Sequence, residues 1–189
     1  MFIFSGLTKI NTNSFCTKLK HDNLFFESKK LYPILKYQPN DTIYIVGINQ
    51  VNEKVLLESE EILKKFYRFQ TFIVKEHMNI GDKYYKYDDT TLVYCEELLK
   101  DIKTNSRILL VTDKELRALD MYVMGLTLVE KRVSIVTTDI NINKTIIHEI
   151  GHTYGLSHCE DKTCVMTVYD EDSDSGSFCD KCKNLFGYY

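Results

Sequence analysis

The chain has 189 residues, enough for one well-cored domain or for a core with a small appendage. At 44% hydrophobic and 12% aromatic residues it is neither disordered nor membranous in composition, and no apolar run approaches the roughly 18 residues of a spanning helix. The formal net charge of −3 is concentrated at the end, where residues 148–189 hold eight acids and three bases, so a phosphate-binding, nucleic-acid role is excluded on sign.

Met1-Phe2-Ile3-Phe4-Ser5-Gly6 lacks a basic n-region and a long apolar h-region, and is expected to be a buried strand rather than a secretory leader. The expected setting is therefore the reducing cytoplasm, where clustered cysteines are metal ligands rather than disulfides. Cys16 has no pro-segment signal around it that would make it a latency cysteine, and His21 has no partner in sequence. Residues 1–40 otherwise carry mixed signals.

From Thr42 the pattern clears. Thr42-Ile43-Tyr44-Ile45-Val46-Gly47-Ile48 is a β-branched apolar run, hence a buried strand. Val55, Ile62, Leu63, Phe66 and Phe69 recur at helical spacing, and Thr71-Phe72-Ile73-Val74 is a second strand. The β-α-β order favours parallel neighbours. His77 has no partner in sequence and is expected to be an ordinary surface or core histidine. A second helix is expected with Asp88 or Asp89 as its N-cap and Leu92, Cys95, Leu99 and Ile102 on one face, Cys95 serving as a small core residue. Arg107–Thr112 is a third strand. Met121–Leu128 and Arg132–Thr138 are expected to form a hairpin, and residues 141–154 the next helix.

Within that helix the chain runs His148-Glu149-Ile150-Gly151-His152-Thr153-Tyr154-Gly155-Leu156-Ser157-His158-Cys159. Residues four apart share a helix face, so His148 and His152 can point at one ion, with Glu149 beside them and able to reach a water. Gly151 in mid-helix costs about 1 kcal/mol against Ala, which implies that another segment approaches closely there. Gly155 suits a left-handed C-terminal position that reverses the chain and returns His158 to the same ion. Three protein ligands leave a fourth position open, the arrangement of a catalytic zinc. Two chance histidines could explain His-Glu-x-x-His alone; the added Gly155 and His158 argue against chance.

Cys159, Cys164, Cys179 and Cys182 follow, and four thiolates would close a tetrahedron around a structural zinc. Free thiols or two disulfides are the competing readings. A loop-rich tail has little core of its own, so such a staple would offset its chain entropy.

The block from His148 to Cys182 resembles the archaemetzincins, a family of metzincin-clan zinc metallopeptidases, in which a cysteine directly follows the third zinc-binding histidine. The resemblance is dense over residues 148–182 and compatible over 106–147. It implies an α/β (α+β) fold: a mixed twisted sheet with a backing helix and an active-site helix, and a small zinc-stapled C-terminal subdomain. The expected division is residues 1–155 for the sheet and active-site helix and 156–189 for the third histidine, the Met-turn and the cysteine site, together one catalytic domain. It further implies that His148, His152 and His158 hold a catalytic Zn2+, that Glu149 is the general base, that Met166 is the Met-turn residue beneath the metal, and that the four cysteines hold a second, structural Zn2+.

One departure is the stretch between Met166 and Cys179, twelve residues and shorter than the family's usual spacing, which trims a loop beside the substrate pocket. Tyr169, three residues past Met166, is at the wrong offset for a metal-reaching tyrosine. Asp170-Glu171-Asp172 with Asp174 is expected to be a solvated loop.

The expected function is zinc-dependent hydrolysis of peptide bonds, as an aminopeptidase or on short peptides. An extended substrate would lie along the strand Met121–Leu128, with Val123, Met124, Gly125 and Leu126 as contact residues. The alternative is a zinc-bound peptide or protein recognition module with little or no turnover, against which the retention of Glu149 argues. The partner expected is a peptide substrate, with no nucleic acid and no membrane, and the chain is expected to be a monomer.

Overall fold

The computed structural model describes residues 32–81, 84–86, 89–118, 121–138, 141–168 and 176–188. The expected N-terminal strand, Cys16, His21, the Asp88 cap, Tyr169 and the acidic run 170–174 lie outside these residues.

Strand β1 (Thr42–Gly47) leads into α1 (Glu53–Ile62), whose Asn52 cap accepts a hydrogen bond from the Lys54 amide. A π-helical turn over Leu63–Tyr67 extends α1 and ends at Arg68 in the left-handed region. Strand β2 (Gln70–Ile73) returns parallel to β1, as the β-α-β order predicts. Strand β5 (Arg107–Thr112) pairs parallel on the other side of β1, β9 (Val133–Thr137) pairs parallel to β5, and β8 (Gly125–Leu128) closes the sheet antiparallel to β9. The five-stranded order is β2-β1-β5-β9-β8.

Both faces of this sheet are covered, so β5 and β9 are buried along their whole length. Side chains alternate between the faces. Ile43, Ile45, Leu109, Val111 and Val136 pack in one cluster with Leu56 of α1 and Ile146, Ile147 and Ile150 of α3 (Ile142–Thr153). Val46, Ile108, Leu110, Val133 and Ile135 pack on the opposite side with Leu98 and Leu99 of α2 (Cys95–Asp101).

Two sequence expectations are corrected. The helix placed from Asp88 or Asp89 is strand β4 (Asp89–Tyr94) up to the short α2, so Leu92 lies in a strand rather than on the face of Cys95 and Leu99. The single strand expected over Met121–Leu128 is two. Strand β7 (Met121–Val123) pairs with β6 (Glu115–Ala118), whereas β8 pairs with β9 in the other sheet. Strands β3 (Tyr85–Lys86), β4, β6 and β7 make a second sheet in the order β3-β4-β6-β7. The β8–β9 hairpin itself forms as expected.

The C-terminal segment is packed into the main core. Cys164, Val165, Met166, Phe178, Cys182 and Phe186 join the cluster that contains α3, and α4 (Asp180–Phe186) carries the last two. The preceding segment 33–37 stitches the two together: the Leu35 amide donates to Tyr154 O and the Tyr37 amide to Phe186 O. Rings of Tyr37, Phe66, Phe178, Phe186 and Tyr188 meet edge-on or stacked around them. The Tyr188 hydroxyl donates to Phe66 O, 122 positions away.

At the end of α3 the guanidinium of Arg107, almost fully buried, forms an ion pair with Asp41 and donates from Nε to Thr153 Oγ1 at 2.9 Å. It also lies 4.3 Å from the centroid of the Tyr154 ring. Among the described residues no helix is long and apolar enough to cross a membrane. The architecture is the mixed α/β fold expected, with a cysteine cluster at its C-terminal end.

Candidate metal centre

Helix α3 begins at Asn141, whose side chain accepts from the Lys144 amide while its backbone takes the left-handed conformation. It carries His148 and His152 one turn apart, with their Nε2 atoms 3.0 Å from each other. Gly155, at φ +84°, ends the helix region as expected, and a β-carbon there would stand 2.8 Å from Pro33 O. The reversal brings the His158 ring to 5.2 Å from that of His148 and 4.9 Å from that of His152, between centroids. One nitrogen from each of the three lies within 4.8 Å of the other two.

The donor chemistry fits a cation. His148 Nδ1 is 2.8 Å from Val165 O, and His152 Nδ1 is 2.7 Å from Leu156 O. A carbonyl oxygen only accepts, so each Nδ1 carries the hydrogen and each Nε2 presents a lone pair. Two lone pairs facing each other at 3.0 Å repel unless a positive ion is placed between them. Burial is the main reason the rings resist protonation. It pulls His148 down to about 4, and with the neighbouring His148 and His158 it holds His152 well below its usual value.

Gly151 has the close neighbour its position implies. A β-carbon there would meet Met166 Sδ at 2.5 Å, which puts the sulphur of Met166 against α3 between the two histidines in sequence. Met166 itself is fully buried.

Cys159, Cys164, Cys179 and Cys182 converge in the same way, their four sulphurs within 4.8 Å of one another. Cys159 Sγ and Cys179 Sγ are 3.7 Å apart. Two thiolates on a tetrahedral zinc, with bonds of about 2.3 Å, stand about 3.8 Å apart. The Cys179 amide donates to Cys164 Sγ at 3.3 Å, a contact that stabilises a thiolate. No disulfide links them: all four are free. The two clusters are joined covalently at His158-Cys159, and the Cys159 amide donates to Met166 O at 2.8 Å.

Glu149 points away from solvent toward the sheet. Burial pushes its carboxyl up to about 7, and the hydrogen bond from Thr127 partly offsets that rise. Thr127 Oγ1 is 2.6 Å from Glu149 Oε2 and 2.9 Å from Glu149 O, and Ser134 Oγ lies 2.8 Å from Thr127 Oγ1. Neither Thr127 nor Ser134 stands out in the sequence by residue type. The available signal was alternation, since Gly125 and Thr127 share one face of a strand next to the active helix.

The four residues expected to contact substrate are divided. Gly125 and Leu126 lie in β8, opposite Val136 and Ile135, at the end of the five-stranded sheet. Val123 belongs to β7 in the second sheet, opposite Leu116. Met124 connects them, and its carbonyl accepts from the Thr137 amide. Cys95 is a buried core residue as expected, its Sγ donating to Arg117 O at 3.2 Å.

Residues 109–187 match the family model for Peptidase family M54, a family of zinc metallopeptidases. An archaemetzincin from Haloquadratum walsbyi is 44% identical over 48 residues, 23% of this chain and 28% of the relative. One from Methanocaldococcus jannaschii is 49% identical over 43 residues, 21% of this chain and 24% of the relative. These matches thus span only about a quarter of the curated relatives' length. The fold extends further. The crystal structure of archaemetzincin from Methanopyrus kandleri superposes with a TM-score of 0.64 at 21% identity, over 79% of this chain and 94% of that one. That from Archaeoglobus fulgidus gives 0.62 at 24% identity, over 76% and 99%.

Proposed function

The resemblance of this chain to the archaemetzincins, carried by the match of residues 109–187 to peptidase family M54, is the premise from which we propose that it is a zinc-dependent peptidase with Glu149 as general base. The observation that carries this reading is the pair of bare Nε2 lone pairs, 3.0 Å apart beside the third histidine and next in sequence to a buried carboxyl. His148, His152 and His158 hold a catalytic zinc, and Cys159, Cys164, Cys179 and Cys182 hold a structural one, two ions per chain. Residues 1–155 supply two ligands and the base; residues 156–189 supply the third ligand, Met166 and the thiolates, and the two parts act as one catalytic unit.

When bound, a zinc on three imidazoles supplies a Lewis acid that polarises the scissile carbonyl and acidifies the attacking water. The carboxylate of Glu149 accepts one proton from that water, and the water oxygen bonds to the carbonyl carbon. The protonated carboxyl then delivers its proton to the amide nitrogen as the C–N bond breaks, releasing an amine and a carboxylate. Burial favours this use, because a carboxyl held near neutrality can both take and return a proton. Val165 O and Leu156 O fix the orientation of the two helix imidazoles. Met166, against Gly151, supports the helix turn that carries them. Strand β8, the last of the five-stranded sheet among the described residues, suits an extended peptide at Gly125 and Leu126, bound by main-chain hydrogen bonds. Short peptides or N-terminal residues are the substrate class.

The test pairs metal content per chain with peptide-library cleavage by wild type and Glu149→Ala. Two zinc ions and cleavage that Glu149→Ala abolishes support the peptidase. Two zinc ions with no cleavage by the wild type would establish a zinc-bound recognition module instead.

A further inference from the structure

We propose that Thr127 is a positioning residue for the proton-carrying carboxylate, and that Gly125, Thr127 and Ser134 together form a cradle that fixes Glu149. The inference rests on the reading of Glu149 as general base. Side chains alternate along β8, so Gly125 and Thr127 face the same way, and the hydrogen bonds of Thr127 show that this way is toward α3. Gly125 leaves the space: a β-carbon there would fall 2.6 Å from Glu149 Cγ and 2.8 Å from Oε1. Its backbone does not take a positive φ, so close approach rather than a special conformation calls for glycine.

Thr127 then grips what Gly125 admits. Its hydroxyl carries one hydrogen, and the shortest contact, 2.6 Å, is to Glu149 Oε2. Ser134 stands directly opposite Thr127 in the β8–β9 register, with Oγ 2.8 Å from Thr127 Oγ1 and 3.3 Å from Glu149 O. With the Thr127 hydrogen on the carboxylate, the hydrogen of Ser134 goes to Thr127 Oγ1, its nearer partner, and the two hydroxyls form a relay that ends on Glu149 Oε2. Glu149 is therefore held at its carboxylate by a hairpin whose register is set by the sheet. One carboxylate oxygen is engaged by Thr127, which leaves the other to exchange a proton with water. The hairpin that would bind substrate thus also orients the group that acts on it, so the position of the strand and that of the base are mechanically linked.

Thr127→Val removes the hydroxyl and keeps the branched shape. It is expected to lower kcat about 10- to 100-fold with KM and zinc content unchanged. Thr127→Ser is expected to restore most of the loss. Gly125→Ala leaves the hydroxyl in place but displaces the carboxylate, and should also lower kcat. In the zinc-loaded protein, melting temperatures of Thr127→Val, Glu149→Ala and the double variant should be non-additive, because each single change already breaks the contact. An unchanged kcat in Thr127→Val, or melting shifts that simply add, would overturn the proposal. Should Thr127→Val not fold, Thr127→Ser and Gly125→Ala decide by kcat: wild-type turnover in Gly125→Ala overturns the cradle. A wild type that cleaves nothing defeats the peptidase reading instead, and the melting cycle then decides the cradle without reference to activity.

Discussion

The sulphur of Met166 occupies the space that a side chain at Gly151 would need, 2.5 Å from where a β-carbon would stand. Phe178 Cε1 is 3.3 Å from the same point, so two side chains crowd this face of the helix about one turn before its reversal at Gly155. Gly151→Ala should therefore fail to stabilise the helix as alanine ordinarily does. A propensity gain of about 1 kcal/mol is set against about 1–3 kcal/mol for overpacking. The expected net loss of about 1 kcal/mol lowers the melting temperature of the zinc-loaded protein by about 2–4 °C. A higher melting temperature would show that Met166 swings aside freely.

The two clusters should lose metal differently. His152→Ala is expected to remove one zinc per chain while the four-cysteine ion stays. Cys182→Ser should instead unfold the C-terminal segment, since the binding energy of a structural zinc is folding energy. Zinc per chain by atomic emission, with circular dichroism on the same samples, separates the two outcomes.

Cys159→Ala should weaken both clusters. Cys159 is the neighbour of His158, and its amide is tied to Met166 O. Loss of the thiolate ligand frees the segment that sets the third imidazole, so affinity at the histidine cluster falls along with stability. Unchanged zinc affinity at that cluster in Cys159→Ala would refute the link.

With the histidine-site zinc removed and the four-cysteine zinc kept, stability should decline as pH falls through the histidine range. His148 and His152 are held below the ordinary histidine value of 6.5, His148 to about 4, so between those values the unfolded chain binds more protons and stability rises with pH. Glu149 acts in the opposite sense. Its carboxyl, raised from 4.5 to about 7, makes the folded state the better proton binder over that interval. Melting temperature should thus drop from pH 6.5 toward 4, and Glu149→Ala should steepen the drop. A flat profile in Glu149→Ala prepared in the same way would contradict the histidine assignment.

Asp41→Asn should be costly although Asp41 is at the surface. It leaves the guanidinium of Arg107, nearly excluded from water, without its counter-charge. Removing one partner of a buried pair costs about 3–5 kcal/mol, and the partial exposure of Asp41 places this case near about 3 kcal/mol. Urea unfolding at two ionic strengths measures it, and a loss under about 0.5 kcal/mol would mean that Tyr154 and Thr153 suffice to hold Arg107.

Where the sequence was readable, one local signal dominated. The β-branched runs at Thr42 and Arg107 mark parallel strands covered on both faces, and Gly151, Gly155 and the histidine spacing define α3 and its reversal. The failures are places where two signals overlap. Leu92, Cys95, Leu99 and Ile102 have helical spacing, yet Thr90 to Tyr94 are strand residues, and the chain passes from β4 into α2 with no punctuating residue. Met121 to Leu126 holds no charged or strongly polar residue, so no such residue at Met124 announces that the chain changes sheets. The whole second sheet was missed for this reason, with β6 too short to register. Thr127 and Ser134 were invisible because their role depends on strand register and on a helix docked against it, and neither is encoded within a short window.

The hydrogen bond from Tyr188 to Phe66 O, and those from segment 33–37 to Tyr154 and Phe186, join the two ends of the described chain around α3. Contacts so distant in sequence form late, because loop closure must precede any gain from them. A chain emerging from the ribosome can build β1, α1 and β2 early, but it cannot complete the histidine cluster before His158, or the cysteine cluster before Cys182, has been synthesised and docked. Incomplete translation products would carry the sheet without the clusters, and the proposed peptidase would become competent only once its own synthesis had passed that point.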